Sequence, residues 1–291
     1  MSWWSRIVTG CVSLALSLAW APEVHAQEAG FGWDPRWPKF RPAEYVLTGV
    51  AGSAALVLYF GVRDAQAPRL SGGVLFDDYF REALRLRAPG QRDTARIVSD
   101  WTALSAMSWA IALDSLIVPI ARGSTELSGQ MLLMDAEAFS FSTLITTLIF
   151  KTVARARPSW AQCEGDAKYD PLCKHHPMGS FPSGHTNTAF TAAGLSCAHH
   201  QYVPLYGNPA ADALACAGTL TLAAATGTLR VVGDRHYVTD VLVGALIGFG
   251  VGYGMPTLLH YGRTQDPVAA APAMQPLGAM VPVGPVISGV F

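Results

Sequence analysis

Apolar segments of helical length recur along the chain, and polar stretches separate them. Most of these segments are long enough for a helix, and the better ones approach the roughly 20 residues needed to cross a bilayer. Alternating strand patterns are absent. The pattern therefore predicts an all-α protein, a bundle of about six core helices embedded in a membrane. The segments are Tyr45–Val62, Trp101–Ala121, Met131–Phe150, Thr186–Cys197, Ala211–Leu229 and Val241–Leu259.

The two ends of the chain differ from this core. Arg6, the apolar stretch Ile7–Trp20 and the small-x-small sequence Val24–Ala26 predict a secretory signal over residues 1–26. An uncleaved anchor helix is the alternative. Residues 27–262 then form the helical domain. Residues 263–291 are rich in Pro, Ala, Gly and Val without a helical period, and we expect them to lie outside the core.

Composition supports the membrane interpretation. Hydrophobic residues make up 51% of the 291 residues, and charged residues only 14%, against about 25% in ordinary soluble domains. The net charge of −1 provides no basic surface for nucleic acid. Asp114, Asp135 and Glu137 interrupt the apolar segments, and such groups face a bundle interior when a helix spans a membrane. Core helices of a periplasmic domain are the alternative.

The cysteines outside the signal divide into two pairs. Cys163 and Cys173 bracket one short polar loop, which a disulfide would close in an oxidising compartment. Cys197 and Cys216 lie in apolar segments and are interpreted as small buried hydrophobic residues.

Three polar clusters lie at the edges of apolar segments: Lys151–Pro158, Phe181–His185 and Arg230–Asp240. Their residue types suit phosphoryl transfer, which consists largely of positioning the phosphoryl group and neutralising its oxygens. Arg157 and Arg230 carry planar guanidinium groups that hold two oxygens each, and Lys151 adds a point charge.

A loop enters a helix at Ser183 and Gly184, so we expect their backbone N–H groups to bind an anion. Ser183 also suits a helix cap.

Phosphoryl transfer to a side chain needs a nucleophile and an acid, and the clusters contain two histidines. His236 and Asp240 are spaced i, i+4 on one predicted helical face, where the carboxylate accepts the imidazole N–H. His236 is therefore the predicted nucleophile, and His185 the general acid and later the base. A metal site formed by His185, His236 and Asp240 is the competing chemistry. It leaves the arginines unexplained, so no metal or other cofactor is expected.

The clusters resemble the signature of the type-2 phosphatidic acid phosphatase superfamily, which shares its site with vanadium-dependent haloperoxidases. The family pattern is Lys-x6-Arg-Pro, Pro-Ser-Gly-His and Ser-Arg-x5-His-x3-Asp. The second motif is complete, whereas Leu229 replaces the Ser of the third. Lys151 and Arg157 are separated by five residues instead of six, which leaves the two side chains about 120° apart on a regular helix.

This resemblance implies metal-independent hydrolysis of a phosphate ester or diphosphate. With an apolar bundle, it predicts a lipid phosphate substrate, membrane lipids as surroundings and a phosphohistidine intermediate. Phosphatidate, phosphatidylglycerol phosphate, a polyprenyl diphosphate and a phosphorylated lipid A stay open as substrates. The alternatives are a soluble periplasmic acid phosphatase, a vanadium haloperoxidase and an inactive membrane scaffold. The oligomeric state is left open.

Location is predicted from the export signal and the Cys163/Cys173 loop. Both favour a bacterial-type cell envelope, with the protein in the inner membrane and the site facing the periplasm. If the mature N-terminus is periplasmic, three membrane-spanning segments before Arg157 would instead place the site on the cytoplasmic side. We therefore expect that one early apolar segment does not cross.

Overall fold

The computed structural model describes residues 31–65, 67–170, 173 and 179–263. The predicted signal segment, residues 1–26, lies outside these ranges, as does the predicted tail beyond residue 263.

Eight helices organise the described residues, and the all-α prediction is confirmed. Within these ranges, the β pairing is limited to one isolated bridge between Leu70 and Arg155. Three of the helices continue into π-helical turns at their carboxyl ends. The helices are α1 (Pro42–Leu56, continued by Val57–Gly61), α2 (Asp77–Leu84), α3 (Pro89–Ser108, continued by Trp109–Ile117 and Val118–Ala121), α4 (Thr125–Val153), α5 (Trp160–Gly165), α6 (Gly184–Tyr202), α7 (Pro209–Val232) and α8 (Val238–Pro256, continued by Thr257–Tyr261).

Six long helices run back and forth between the two ends of the bundle, and they match the six predicted segments. They are α1, α3, α4, α6, α7 and α8. Near the start of α1, the Phe40 amide donates to Gln130 near the start of α4 (2.8 Å). At the other end, Lys151 of α4 donates to the Val62 carbonyl just after α1 (2.6 Å). Helices α1 and α4 are therefore parallel, with α3 returning between them. All three early helices have the length and hydropathy of a membrane span, so the expectation that one of them does not cross stays a prediction.

The end of the bundle where α4 finishes and α6 begins is called the site end below, and the opposite one the distal end. Helix α6 packs along α8 on a stripe of three glycines in α8. A Cβ at Gly244, Gly248 or Gly252 would overlap the backbone of α6, at the carbonyls of Ser183, Asn187 and Thr191 respectively. This close approach holds the loop before α8 against the start of α6.

The outer surface of the bundle is apolar and exposed, as a membrane requires. Phe60, Leu214 and Leu246 are 78%, 70% and 74% exposed. The carboxylates that interrupt the apolar segments instead point inward and are buried, as was predicted for Asp114, Asp135 and Glu137. Among the described residues, five helical segments are long and apolar enough to cross a membrane: Pro42–Gly61, Pro89–Ala121, Thr125–Val153, Pro209–Val232 and Val238–Tyr261.

The two cysteine pairs both form disulfides. The predicted Cys163–Cys173 bond is confirmed, with an S–S distance of 2.02 Å. The interpretation of Cys197 and Cys216 as separate buried thiols is wrong, because they are bonded to each other. Helices α6 and α7 are antiparallel neighbours, and this brings two residues 19 positions apart to a Cα–Cα distance of 4.4 Å.

Candidate active site

The three polar clusters meet at the site end, around a cavity of about 420 Å³. Arg157, Gly184, His185 and His236 line one side of this cavity. The rest of the lining is mostly apolar or hydroxyl-bearing. Gly179, Pro182, Asn187 and Thr188 come from α6 and the loop before it, and the other residues come from α3, α4 and the end of α1, including Leu104, Met107, Thr143, Thr147, Phe150 and Tyr59. The cavity therefore joins a polar end, rich in phosphate-binding side chains, to an apolar wall.

His236 presents one ring nitrogen to this cavity with a defined protonation. Its Nδ1 lies 2.7 Å from the Ser180 carbonyl oxygen, which can only accept a hydrogen bond. Nδ1 must therefore carry the proton, and Nε2 keeps its lone pair. Burial, together with the Arg157 and Arg230 cations, lowers the pKa of His236 to about 4. The imidazole is thus neutral and nucleophilic at neutral pH.

The predicted helical pairing of His236 with Asp240 is not what the structure shows. His236 lies in the turn before α8, which begins at Val238, so the two residues do not share a helical face. Asp240 Oδ2 is 3.8 Å from His236 Nδ1, and the backbone carbonyl of Ser180 takes the imidazole proton instead. Asp240 Oδ2 accepts hydrogen bonds from the Ser180 hydroxyl (2.5 Å) and from the Tyr237 amide (2.8 Å). It therefore holds both the segment whose carbonyl contacts His236 and the residue that follows His236.

Arg155, which was not among the predicted site residues, anchors this arrangement. Its guanidinium is fully buried and donates to Asp240 (2.6 Å) and to Asp77 (2.7 Å). Asp77 in turn accepts from the Thr239 amide (2.9 Å) at the start of α8. The Arg155 carbonyl also accepts from the Ser180 amide (2.9 Å). Arg155 lies inside the first cluster, so its charge alone could have marked it as a candidate site residue. Asp77 lies in none of the three clusters, and the sequence offers no comparable signal for it.

The second histidine, His185, borders the cavity in the first turn of α6. Its Nε2 lies 3.2 Å from Oδ1 of Asp100 on α3. The same carboxylate oxygen accepts from Arg230 Nη2, so Asp100 links the predicted acid to a predicted phosphate ligand. Enclosure in the pocket and the nearby Arg230 cation lower the pKa of His185 below its usual range. A bound phosphate dianion reverses the sign of the local charge and favours protonation of His185.

Arg157 has the least occupied guanidinium of the cluster. Its one hydrogen bond is long, from Nη1 to the Arg235 carbonyl (3.5 Å), and its buried Nε has no partner among the described residues. Burial and the neighbouring Arg235 and Arg230 cations lower the pKa of Arg157 to about 10, which leaves it charged at neutral pH. Among the described residues no carboxylate forms an ion pair with Arg157, and this positive charge at the cavity favours a bound phosphate.

Ser183 and Gly184 take different positions. The Ser183 amide donates to the Asp240 carbonyl (3.0 Å), and its hydroxyl caps α6 by accepting from the Thr186 amide (3.5 Å). Its N–H is therefore not directed at the cavity. Gly184 is exposed in the cavity at the first position of α6, where an N–H group has no acceptor within its helix. Of the two predicted anion-binding amides, the structure directs Gly184 to the site.

Lys151 is a predicted site residue whose side chain lies away from the cavity. Its ammonium pairs with Asp64 (2.6 Å) and with the Val62 carbonyl, beside the end of α1. In the family pattern six residues separate the lysine from the Arg-Pro pair, so a lysine that matched the pattern would be at position 150 of this chain. Phe150 does line the cavity, and a shift of one residue rotates Lys151 by about 100° away from it.

The competing metal arrangement is not formed by the residues proposed for it. Both Asp240 oxygens are occupied by Arg155, Ser180 and the Tyr237 amide, so they do not converge with the two histidines. Among the residues that the structure describes, no group of three or more His, Cys, Asp or Glu side chains has a metal-binding arrangement.

Three curated proteins are similar in sequence to part of this chain. The Lipid A 1-phosphatase of Rhizobium etli is 32% identical over 125 residues, which are 42% of this chain and 47% of that protein. The Lipid A 1-phosphatase of Rhizobium johnstonii is 31% identical over 125 residues, which cover 45% of its length. That of Porphyromonas gingivalis is 43% identical over 76 residues, 15% of its length. The chain thus spans less than half the length of these curated relatives.

A solved structure and a family model complete the comparison. The crystal structure of a transmembrane PAP2 type phosphatidylglycerolphosphate phosphatase from Bacillus subtilis has a TM-score of 0.46 and 20% identity. The match covers 72% of this chain and 91% of that chain. The model of the PAP2 superfamily matches residues 136–263, a range that contains all three motif clusters from Lys151 to Asp240. Residues 136–263 of this chain are therefore similar to the PAP2 superfamily.

Proposed function

We propose that this protein is a metal-independent phosphatase that hydrolyses a lipid phosphate through a phosphohistidine intermediate. One observation carries the proposal: His236 donates from Nδ1 to the Ser180 carbonyl, and its unprotonated Nε2 belongs to a cavity that Arg157 and His185 also line. Attack on phosphorus requires a neutral imidazole next to a cation that can bind the phosphate oxygens, and His236 and Arg157 provide this arrangement.

The reaction takes place in two steps. In the first, Nε2 of His236 attacks phosphorus and the bond to the leaving oxygen breaks, while His185 donates a proton to that oxygen. Arg157, Arg230 and the Gly184 amide bind the equatorial oxygens. In the second, His185 removes a proton from water, which attacks the phosphohistidine and releases phosphate. The Ser180 carbonyl stabilises the positive imidazole ring through Nδ1–H in both steps.

A lipid is the proposed leaving group because the cavity is apolar beyond its phosphate end. Leu104, Met107 and Phe150 line this part of the cavity, and the outer faces of the surrounding helices suit a bilayer. The names of the matched relatives make the 1-phosphate of lipid A the first candidate substrate. The soluble acid phosphatase alternative requires the exposed apolar faces of five helices to meet water.

We further propose that the protein lies in the inner membrane with its site end facing the periplasm. The Cys163–Cys173 disulfide lies in the loop between α4 and α6, at the site end, and disulfides persist in oxidising compartments. After reduction, a membrane-impermeant thiol reagent should label Cys163 in intact spheroplasts. Labelling that requires lysis would place the site end in the cytoplasm.

The covalent intermediate provides the direct test of function. Rapid quenching with a substrate labelled in the phosphate should trap an acid-labile, base-stable phosphoenzyme. The variant His236→Ala should not form it, whereas a phosphoenzyme in that variant would refute the assignment. Activity should survive exhaustive EDTA treatment, since guanidinium groups neutralise the phosphate. Loss of activity on chelation, with rescue by a divalent ion, would support the metal alternative.

A further inference from the structure

A short surface segment at the site end carries a patch of exposed apolar side chains. It comprises residues 74–80, in the turn before α2 and the first half of that helix, and is called the rim segment below. Leu75 is 90% exposed and Tyr79 is 72% exposed. Phe80 contacts the rings of Phe76 and Tyr79 edge to face, which makes the patch continuous. The apolar members, each more than one third exposed, are Val74, Leu75, Phe76, Tyr79 and Phe80. A contiguous exposed patch of this kind marks a contact surface.

The backbone of Leu75 is as unusual as its exposure. Its φ is 55°, in the left-handed region that bulky residues rarely enter and that glycine and asparagine accept more readily. This leucine is therefore held in an unfavourable conformation, with its apolar side chain on the outside of the protein. Contact with an apolar medium would remove the cost of its exposure.

The place of the rim segment in the fold identifies the bilayer as that medium. Asp77 accepts from the Thr239 amide in the first turn of α8 (2.9 Å), so the segment lies at the site-end terminus of a helix that is apolar enough to span a membrane. On the surface of α8, Leu242 neighbours Thr239 and is 54% exposed. Aromatic side chains are enriched where a spanning helix leaves the acyl region for the headgroups, and amphipathic helices lie in that plane. One lipid surface therefore covers both the rim segment and the outer face of α8.

The inner side of the rim segment is bonded to the network behind the nucleophile. The Arg155 guanidinium donates to the Gly72 carbonyl (2.9 Å) and to Asp77 (2.7 Å), so both ends of the turn that presents Leu75 are bonded to one side chain. The same guanidinium donates to Asp240 (2.6 Å). A displacement of this turn therefore displaces the network that holds the nucleophile.

Helix α2 also contacts the loop between α7 and α8, which carries His236. Arg81 donates to both carboxylate oxygens of Asp234 (2.7 and 2.9 Å), two residues before His236. After α2, the Leu86 amide donates to the carbonyl of Val232, the last residue of α7 (2.9 Å). With the bond between the rim segment and the start of α8, these contacts hold the loop on both sides of the nucleophile.

We infer that the rim segment inserts its apolar side chains at the boundary between the headgroups and the acyl chains of the bilayer, and that this contact keeps the His236 loop in its catalytic position. The partner is the lipid surface itself and not the substrate molecule. The membrane therefore acts on turnover twice, since it supplies the lipid substrate and also holds the loop. Docking requires no activity, whereas its effect on turnover rests on the proposed phosphatase function.

A spin label tests the docking without any substrate. The nitroxide is attached to Leu75→Cys in protein in which Cys11, the cysteine outside the two disulfides, is replaced by serine. In vesicles of phosphatidylcholine and phosphatidylglycerol, oxygen, which concentrates among acyl chains, should relax this label more than a water-soluble nickel chelate does. The control label is at Gln91→Cys, an exposed polar position in the first turn of α3 at the site end. It should show the opposite order.

The variant Leu75→Asn tests the effect on turnover. Asparagine accepts the left-handed backbone better than leucine does, so the variant should unfold in detergent at a temperature no lower than the wild type. A short water-soluble phosphate ester serves as substrate, because the bilayer then has no part in its delivery. We expect kcat in vesicles to fall about tenfold with KM little changed, since burial of a leucine side chain changes an equilibrium by about that factor or more.

The matched control for this variant is Leu214→Asn. Leu214 is 70% exposed near the start of α7, at the distal end of the bundle. The same apolar side chain is thus replaced by the same polar one, far from the rim segment and the His236 loop. This variant should keep the wild-type kcat on the short ester.

The possible outcomes separate the docking, its effect and the function itself. A label at position 75 that nickel relaxes more than oxygen would place the rim segment in water and overturn the docking. Dipolar coupling between labels on different molecules would mean that a second copy of the chain covers the segment, and would overturn it too. A docked label with wild-type kcat in Leu75→Asn would overturn the link to the His236 loop. Absence of turnover of every phosphate ester by the wild type would refute the proposed function and leave the docking result standing.

Discussion

Both ends of the bundle contain buried histidines beside carboxylates, but these histidines have different surroundings. At the distal end, both ring nitrogens of His199 are occupied, by Asp135 (3.0 Å) and by the Tyr261 hydroxyl (2.7 Å). His200 lies between two carboxylates, 2.6 Å from Asp212 and 3.2 Å from Asp114. At the site end, His236 uses one nitrogen for the Ser180 carbonyl and leaves the other at the cavity.

The charges around the histidines differ in the same way. At the distal end, the two histidines of α6 contact carboxylates of α3, α4 and α7, and these contacts connect the helices within an apolar bundle. At the site end, burial together with the nearby Arg157 and Arg230 cations lowers the pKa of both histidines and favours their neutral form. A histidine near an aspartate therefore indicates chemistry only where one nitrogen stays free and the net local charge favours an incoming anion.

Replacing one histidine at each end gives the largest predicted contrast. His236→Asn should lower kcat by at least about 10⁴-fold, because the nucleophile is lost, with little change in thermal stability in detergent. His200→Asn should lower the free energy of unfolding by about 3 kcal/mol, since it leaves buried carboxylates uncompensated. Its kcat per folded molecule should stay within about twofold of the wild type. A folded but inactive His200→Asn protein would contradict the division into a catalytic and a structural end.

The next prediction concerns Asp240. Asp240→Asn should lower kcat by about 10²- to 10³-fold, because the segments that carry Ser180 and His236 are no longer held by a charged partner of Arg155. Substrate affinity should change little, as Asp240 does not line the cavity. Steady-state kinetics and the level of trapped phosphoenzyme measure both effects. Loss of affinity with an unchanged kcat would show that Asp240 acts on binding instead.

The pH dependence of His236 sharpens the contrast further. Its lowered pKa of about 4 means that the nucleophile is neutral at pH 5, whereas a histidine of ordinary pKa would be only about 3% neutral there. After correction for ionisation of the substrate phosphate, kcat/KM should fall less than about twofold between pH 7 and pH 5. The same histidine should show no protonation in that range by NMR on histidine-labelled protein, with His236→Asn to assign the signal. A midpoint near 6.5 would contradict the burial argument.

Asp100 provides the smallest predicted effect. The Asp100 side chain is 41% exposed and forms an ion pair with Arg230. Its carboxylate therefore competes with a bound phosphate for the Arg230 guanidinium. Asp100→Asn should strengthen inhibition by inorganic phosphate about three- to fivefold, a size typical of a partly exposed ion pair. The control is Asp93→Asn, since Asp93 pairs with Arg96 (2.9 Å) and forms no ion pair with Arg230 among the described residues. Weaker inhibition in Asp100→Asn would mean that Asp100 positions Arg230 for phosphate.

The sequence by itself determined the features that depend on neighbouring residues. Six apolar segments of helical length predicted the six long helices, because burial of such segments and satisfaction of their backbone groups require a helix in a membrane. The three motifs identified His185, His236, Arg157 and Gly184, which line one cavity. The Cys163–Cys173 bond was predictable because both cysteines close one short loop.

The tertiary structure decided the features that depend on how helices face one another. The Asp77–Arg155–Asp240 network joins residues 78 to 85 positions apart, and Asp100 reaches Arg230 across 130 positions. The Cys197–Cys216 bond likewise needs α6 and α7 to pack antiparallel. Lys151 shows the physical reason most clearly: one residue along α4 is about 100° of rotation, which places Phe150 in the cavity and Lys151 outside it. Local spacing defines which residues can share a face, but only the packing defines what that face meets.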